Sequence, residues 1–147
     1  MDIRLAVKED IPDLIRIRVQ FLNEKAPDGH GANGSKEELL VAALNSYYCK
    51  HLTGGQLIMW LAVDAGRIVA TGGICFHHYP PDLEVVTEIR ATLMNLYALP
   101  GYKERGLEER LFQKLLDEAE QRKPGSITLH DGEAGMAGNK NFVLYRK

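Results

Sequence analysis

The sequence predicts one mixed α/β domain spanning residues 1–147, and three features of the chain support this prediction. Short segments with alternating or continuous apolar residues, beginning with residues 3–7, are typical of strands. Between them lie segments with an apolar residue at every third or fourth position, which are typical of helices. No internal repeat or low-complexity block interrupts this order, and the length suits one domain better than two.

The first half of the chain predicts a strand followed by two helices. After the strand at residues 3–7, Asp10 can cap a helix that tolerates Pro12 in its first turn. Residues 26–34 have the composition of a loop. Ser35 followed by Glu38 forms a capping-box pattern, which predicts the start of a second helix that ends at Gly54 and Gly55.

The second half predicts three strands, a third helix and two short strands. The first two of these strands cover residues 57–63 and 67–76, and Gly72-Gly73 inside the second indicates a bulge or a close backbone approach. Residues 77–86 contain Pro80-Pro81 and are predicted to be irregular. A long strand over residues 87–99 follows, and the third helix begins near Gly106. Residues 127–130 and 142–145 predict the last strands.

Composition excludes several functional classes. The apolar fraction of 45% and charged fraction of 26% are those of an ordinary globular protein, and a net charge of −2 favours neither nucleic acid nor an anionic membrane as partner. No apolar run is long enough for a membrane span or a secretion signal. Cys49 and Cys75 form no metal-ligand pair, so we expect a reduced, cytoplasmic protein without a metal site.

The most informative segment is residues 95–107, where a long strand leads through a short basic turn into a helix. Backbone N–H groups at a helix start are unsatisfied and carry partial positive charge, which suits a phosphate or pyrophosphate. Lys103 and Arg105 add formal charge, and Gly106 allows a close backbone approach. From this local pattern alone, a solvated basic turn is an equally good interpretation.

This segment resembles the acetyl-CoA-binding motif of the GNAT superfamily of acetyltransferases, Q/R-x-x-G-x-G/A, with Lys103 at its first position. The resemblance extends over nearly the whole chain. Residues 3–22 are similar to the opening strand and helix of the family, residues 62–76 to its central hairpin and residues 126–130 to its fifth strand. It implies a mixed, mostly antiparallel central sheet with helices on both faces.

The resemblance also implies how acetyl-CoA would bind. In the family the fourth strand separates from the fifth, and the pantetheine arm adds to the exposed edge like another strand, here at residues 97–99. The turn amides would hold the pyrophosphate, and a backbone N–H near Leu96 or Tyr97 would polarise the thioester carbonyl. The implied cofactor-binding residues are Leu96, Tyr97, Ala98, Leu99, Lys103, Glu104, Arg105, Gly106, Leu107 and Glu108.

The sequence departs from the family pattern at two places. Glu108 stands where the family has glycine or alanine, and its carboxylate would either face the pyrophosphate or point to water and favour the helix dipole. The family usually places a tyrosine after the fifth strand, which protonates the leaving thiolate. Here residues 136–140 replace that part of the pattern, and Tyr145 falls on the predicted last strand. Water could protonate the thiolate instead.

The amine must lose a proton before it attacks, so a base or a chain of water molecules is required. We assign Glu88 as the candidate base and Asn95 and Tyr97 as groups that orient the acceptor or the thioester. For Glu88 an exposed strand carboxylate is the more common alternative. His77 and His78 also have a suitable pKa, but adjacent histidines at a strand end are typically surface residues.

These features predict transfer of an acetyl group from acetyl-CoA to a primary amine of a small molecule or peptide, by direct attack in a ternary complex. The rival hypothesis is a degenerate GNAT domain that binds acyl-CoA or a protein partner without efficient catalysis. A nucleotide-binding P-loop protein is disfavoured because G-x-x-x-x-G-K-[ST] is absent. Apart from the acceptor amine, a second copy of the chain in a homodimer is the partner that the sequence allows; nucleic acid and membranes are not expected.

Overall fold

The computed structural model describes residues 1–25, 34–129 and 143–145. Its elements follow the predicted order, with a 3₁₀ turn added at Lys8–Asp10. The strands are β1 (Asp2–Leu5), β2 (Leu57–Asp64), β3 (Arg67–His78), β4 (Ile89–Ala98), β5 (Ser126–Leu129) and β6 (Val143–Tyr145). The helices are α1 (Ile11–Lys25), α2 (Gly34–Gly54) and α3 (Leu107–Arg122).

The strands form one sheet in the order β1-β2-β3-β4-β5-β6. Every neighbouring pair is antiparallel except β4 and β5, which are parallel. Parallel neighbours require a crossover connection, and α3 supplies it. The predicted mixed, mostly antiparallel sheet is therefore confirmed.

Helices cover both faces of this sheet, as predicted. On one face α1 and α2 bury a cluster that includes Leu14, Tyr48 and Leu61. On the other face α3 packs Leu111 and Leu115 against the sheet. Burial of these side chains in two clusters, one on each side of the sheet, supplies the main favourable term in folding.

Gly72 lets α3 lie close to the sheet. A β-carbon at this position would lie 3.0 Å from Leu96 Cδ1 and 3.1 Å from Leu115 Cδ1, which is tighter than ordinary van der Waals contact. The register between β3 and β4 also shifts between Thr71 and Gly73. The close approach predicted for Gly72-Gly73 is thus confirmed, whereas the extra residue of the bulge lies opposite these glycines, on β4.

Asp10 caps a different element from the one predicted. It ends the 3₁₀ turn, and its carboxylate accepts a hydrogen bond from the Val7 N–H at 2.8 Å and two from the Arg4 guanidinium at 2.8 and 2.9 Å. The hydrogen bonds from Arg4 lower the pKa of Asp10, against the opposing effect of its burial. The carboxylate therefore fixes the chain between β1 and α1 rather than the first turn of α1.

Several predicted boundaries were wrong. The fourth strand begins at Ile89 rather than residue 87, so Glu88 precedes it. The second helix begins at Gly34, which places Ser35 inside the helix rather than at its cap.

The predicted last strand is confirmed as β6, antiparallel to β5. His130 and the polar segment 131–141 lie outside the described residues.

Candidate functional site

The candidate site begins where β4 extends beyond its paired segment with β5. The two strands pair over four positions, from Arg90 opposite Ser126 to Leu93 opposite Leu129. β4 then continues to Ala98, still paired on its other side with β3. Within the described part of the chain, residues 94–98 have no strand neighbour on the β5 side. An extended molecule carrying amide groups can pair with such an edge.

A β-bulge lies in this exposed half of β4. Met94 is opposite Gly73 and Tyr97 is opposite Thr71, so β4 carries one residue more than β3 over this stretch. Asn95 occupies the bulge with φ +58°, a left-handed conformation that asparagine tolerates better than most residues. Thr71 Oγ1 donates a buried hydrogen bond of 2.7 Å to the Asn95 carbonyl, which holds the bulge against β3.

The bulge directs the Asn95 side chain toward the helices. Its Nδ2 lies 3.4 Å from the hydroxyl of Tyr48 on α2. Asn95, Tyr48, Tyr97 and Arg18 line a cavity of about 10 Å³, which is room for about one water molecule. The structure therefore brings together Asn95 and Tyr97, the two residues that the sequence assigned to orienting the substrates.

Tyr97 is buried, and its hydroxyl is held by α1. The hydroxyl donates to the Glu24 carboxylate and accepts a 3.2 Å hydrogen bond from Gln20 Nε2. Burial, followed by the hydrogen bond to Glu24 and the charge of that carboxylate, raises the pKa of Tyr97 well above its usual range. The phenol therefore stays protonated at neutral pH and serves as a fixed polar group.

The turn after β4 leaves a helix start open. Gly101, Glu104 and Gly106 all have positive φ, and Gly106 is the N-cap of α3 without a side-chain hydrogen bond to the helix. A β-carbon on Gly106 would meet no atom within 4 Å, so the space beside the backbone is open. The first backbone N–H groups of α3 can thus face an anion, which the helix dipole also favours.

Two cations lie against aromatic rings beside this turn. Lys103 Nζ is 4.4 Å from the centre of the Tyr97 ring, and the Arg105 guanidinium carbon is 4.7 Å from that of Tyr102. The Tyr102 hydroxyl donates to Asp64 at 2.7 Å, which anchors the ring under Arg105. Cation–π contact restrains both basic side chains close to the start of α3.

The side chains of residues 96–99 belong to the two cores. Leu96 and Ala98 face the α3 side, whereas Tyr97 and Leu99 face α1 and α2. Any contact of these residues with a ligand along the strand edge would therefore be through the backbone. In the first turn of α3, Leu107 is buried, Glu108 is half-buried, and Glu104 in the preceding turn is exposed.

Glu88 does not lie with the other predicted site residues. It precedes β4, and its carboxylate pairs with His78 Nδ1 at 2.7 Å. Seven residues separate it from Asn95, which corresponds to roughly 23 Å at the rise of an extended strand. The structure therefore does not bring this candidate base together with Asn95 and Tyr97.

Sequence reasoning did not single out the pair formed by His77 and Thr92. His77 Nε2 lies 3.0 Å from Thr92 Oγ1, and Thr92 immediately precedes Leu93, where the pairing of β4 with β5 ends. Burial lowers the pKa of His77, and the charges of Arg90 and His78 lower it further. The sequence did contain one signal for this pair. Cys75 and His77 are two residues apart, as are Thr92 and Met94, and residues two apart on a strand point to the same face of the sheet.

The described residues contain neither a membrane-spanning helix nor a cluster of metal ligands. None of the helices there is long and apolar enough to cross a membrane. Across residues 1–25, 34–129 and 143–145, no group of three or more histidine, cysteine, aspartate or glutamate side chains is arranged to hold a metal ion.

Comparisons with known proteins identify the fold. The sequence matches no protein-family model and no curated protein. Its structure is similar to that of a predicted acetyltransferase from Clostridium acetobutylicum solved with acetyl-CoA, with a TM-score of 0.79 and 23% identity over 96% of this chain and 90% of the other. A GCN5-related N-acetyltransferase from Ralstonia eutropha also gives a TM-score of 0.79, at 21% identity over 92% and 86% of the two chains.

A third solved structure, an acetyltransferase from Vibrio fischeri, gives a TM-score of 0.64 at 16% identity over 88% of this chain and 94% of the other. At such identities the similarity concerns architecture. The order of the elements, the parallel pairing of β4 with β5 and the open helix start after β4 agree with that architecture. The chain has the fold of the GNAT-type acetyltransferases.

Proposed function

We propose that this protein transfers an acetyl group from acetyl-CoA to a primary amine of a small molecule or peptide, by direct attack in a ternary complex. The observation that carries the proposal is the continuity of the site. The edge of β4 that β5 leaves uncovered leads directly into the basic turn and the open start of α3. An elongated ligand with amides along one arm and phosphates at its end matches this sequence of features.

The described residues fit acetyl-CoA at both parts of the site. The backbone of residues 94–98 can pair with the amides of the pantetheine arm. The N–H groups at the start of α3 can hold the pyrophosphate beside Gly106, and Lys103 and Arg105 supply charge. When bound, acetyl-CoA supplies an activated acyl group and a thiolate leaving group. A backbone N–H near Leu96 or Tyr97, just after the bulge, would polarise the thioester carbonyl.

Direct attack is favoured because the part of the site that the structure describes offers no activated nucleophile. The thiol of Cys75 is half-buried, and its hydrogen-bond partner in the described residues is the neutral hydroxyl of Tyr47 at 3.9 Å. A thiolate nucleophile needs a basic neighbour or a helix start to lower its pKa. Asn95 and Tyr97 then have the role of holding the reacting groups in place, Asn95 at the bulge and Tyr97 through its backbone, while the bond from its hydroxyl to Glu24 fixes the ring.

Binding is tested first, by calorimetry and thermal unfolding. Acetyl-CoA should bind and raise Tm, whereas ATP and NAD should not. Gly106→Ala should weaken acetyl-CoA binding because a side chain at φ +75° strains the open helix start. Gly66→Ala is the matched control, since Gly66 has φ +79° and equally open space but lies in the turn between β2 and β3. No binding at millimolar acetyl-CoA would refute the proposal.

Catalysis is tested by following free thiol while a broad panel of amines is offered with acetyl-CoA. Release of thiol that depends on an amine supports the transferase. Tight acetyl-CoA binding without turnover would favour the rival function, a domain that binds acyl-CoA without efficient catalysis. The observation that favours this rival is the half-buried Glu108 in the first turn of α3, which stands where the family has glycine or alanine.

The proposal extends to location and assembly. The two cysteines are free thiols, as is typical of proteins in the reducing cytoplasm, where we propose that this protein acts. The homodimer that the sequence allows stays a prediction, which light scattering of the purified chain would check.

A further inference from the structure

One face of β3 and β4 carries polar groups beside the core that α1 and α2 cover. Antiparallel pairing sets Cys75 opposite Thr92 and His77 opposite Arg90, and paired residues point to the same side of a sheet. This is the side covered by α2, because the Tyr47 hydroxyl reaches Cys75 at 3.9 Å and Met94 Sδ at 3.7 Å. We call Cys75, His77, Arg90, Thr92 and Met94 the α2-side face.

His77 is held in place on this face with one ring nitrogen engaged. Its Nε2 lies 3.0 Å from Thr92 Oγ1, and its ring contacts the Tyr79 ring edge-on with centroids 5.1 Å apart. Its Nδ1 is buried and has no hydrogen-bond partner among the described side chains and backbone. A ring restrained on both sides is positioned to exchange a proton with the threonine hydroxyl and with little else.

The charges around His77 favour its neutral form. Burial lowers the pKa of His77 most, and Arg90 on β4 and His78 on β3 lower it further. The nearby carboxylates are engaged elsewhere, since Asp82 pairs with Arg90 at 3.1 Å and Glu88 with His78 at 2.7 Å. At neutral pH the imidazole is therefore available as a base.

We propose that Thr92 and His77 form the relay that removes a proton from the acceptor amine. This inference rests on the proposed acetyl transfer. Thr92 is the last residue before Leu93, where β5 leaves β4, and it lies three residues from Asn95, or roughly 10 Å along the strand. An amine that approaches a thioester at the bulge from the α2 side would reach the Thr92 hydroxyl through a short chain of water molecules.

The proton and electron balance of the step is complete. The ammonium group gives one proton to Thr92 Oγ1 while the hydroxyl proton of Thr92 passes to His77 Nε2. The free amine forms a bond to the acyl carbon, and the carbon–sulfur bond breaks. The thiolate takes a second proton from the amine nitrogen through water, and the imidazolium returns its proton to solvent through the Thr92 hydroxyl. The relay requires His77 to carry its own ring proton on Nδ1 before the reaction.

The protonation state and tautomer of the His77 ring can be measured without acetyl-CoA. Nitrogen-15 NMR of the histidine rings in the free protein should show His77 neutral at pH 7, with the proton on Nδ1 and a pKa below 6.5. Thr92→Val should change the Nε2 shift, whereas the ring of His78 should be unaffected. A proton on Nε2 would overturn the relay, because that nitrogen would then donate to Thr92 instead of accepting from it.

The kinetic test uses an amine found active in the panel. His77→Gln keeps a hydrogen-bonding group but cannot accept a proton, so kcat at pH 7 should fall by about a hundredfold. The loss should shrink toward pH 9, where more of the amine is already neutral. Thr92→Val should behave like His77→Gln, while Thr92→Ser should retain most of the activity. His78→Gln is the matched control on the opposite face and should keep kcat, with Tm measured for every variant.

The outcomes separate the two proposals. If the wild type releases no thiol with any amine, acetyl transfer is refuted and the relay with it. If the wild type turns over but His77→Gln retains kcat and its pH dependence, the relay alone is refuted. Loss of kcat with an unchanged pH profile would give His77 a packing role and would also overturn the relay.

Discussion

The hydrogen bond from Thr71 to the Asn95 carbonyl should control the stability of the bulge. Thr71→Val keeps the shape of the side chain and removes the donor. Both residues are buried, Thr71 at 2% exposure and Asn95 at 6%, so bulk water does not reach the groups that lose the bond. Leaving a buried carbonyl without its donor costs about 1–3 kcal/mol, and we expect about 2 kcal/mol here. For a chain of this size that lowers Tm by roughly 6 °C.

Urea unfolding with a fixed m-value measures the change, and Thr71→Ser is the matched control. The serine keeps the hydroxyl and loses one methyl group, so its cost should be about 1 kcal/mol from apolar burial alone. Acetyl-CoA affinity should fall in Thr71→Val and not in Thr71→Ser, because only the valine frees the bulge. Equal stabilities for the two variants would show that the hydrogen bond to Asn95 does not restrain β4.

Three further outcomes are expected. Gly72→Ala should cost about 1–3 kcal/mol by urea unfolding, because its methyl group would crowd two leucines at 3.0 and 3.1 Å. Asp10→Asn should lower the free energy of unfolding by about 2 kcal/mol at pH 7. It should also make the free energy of unfolding less dependent on pH in the acid range. The unfolded chain binds this proton at a higher pH than the folded chain, so the contribution of Asp10 is present above about pH 4 and is lost as pH falls through the lowered pKa. Glu108→Ala should leave acetyl-CoA affinity unchanged and cost a few tenths of a kcal/mol of stability; tighter, salt-sensitive binding would instead place the carboxylate against the pyrophosphate.

The sequence was sufficient to predict the strand, turn and α3 because their signals are local. Pro100 and the glycines of the turn end the strand, and the apolar spacing from Leu107 starts the helix within a few residues. The order of elements and the two covered faces followed from the same patterns and from the family resemblance. Helix starts were less predictable, since Asp10 was assigned to α1 but stabilises the 3₁₀ turn before it.

The arrangement within the site could not be predicted because it depends on strand register. His77 meets Thr92 only through the pairing of β3 with β4, which joins positions fifteen residues apart. Glu88 has a plausible side chain for a base, but the same register places it beside His78, away from the bulge. The positive φ of Asn95 has no sequence signal stronger than the tolerance of asparagine for that conformation.

Tyr97 connects the two halves of the proposed ternary complex. Its hydroxyl is fixed by Glu24 near the end of α1, and its ring contacts Lys103 in the turn that would hold the pyrophosphate. Its backbone belongs to the strand edge that would receive the pantetheine arm. A shift of α1 caused by an acceptor would therefore reach Lys103 through one side chain. Because coupling between two bound ligands is reciprocal, acetyl-CoA must bias the acceptor side by the same free energy.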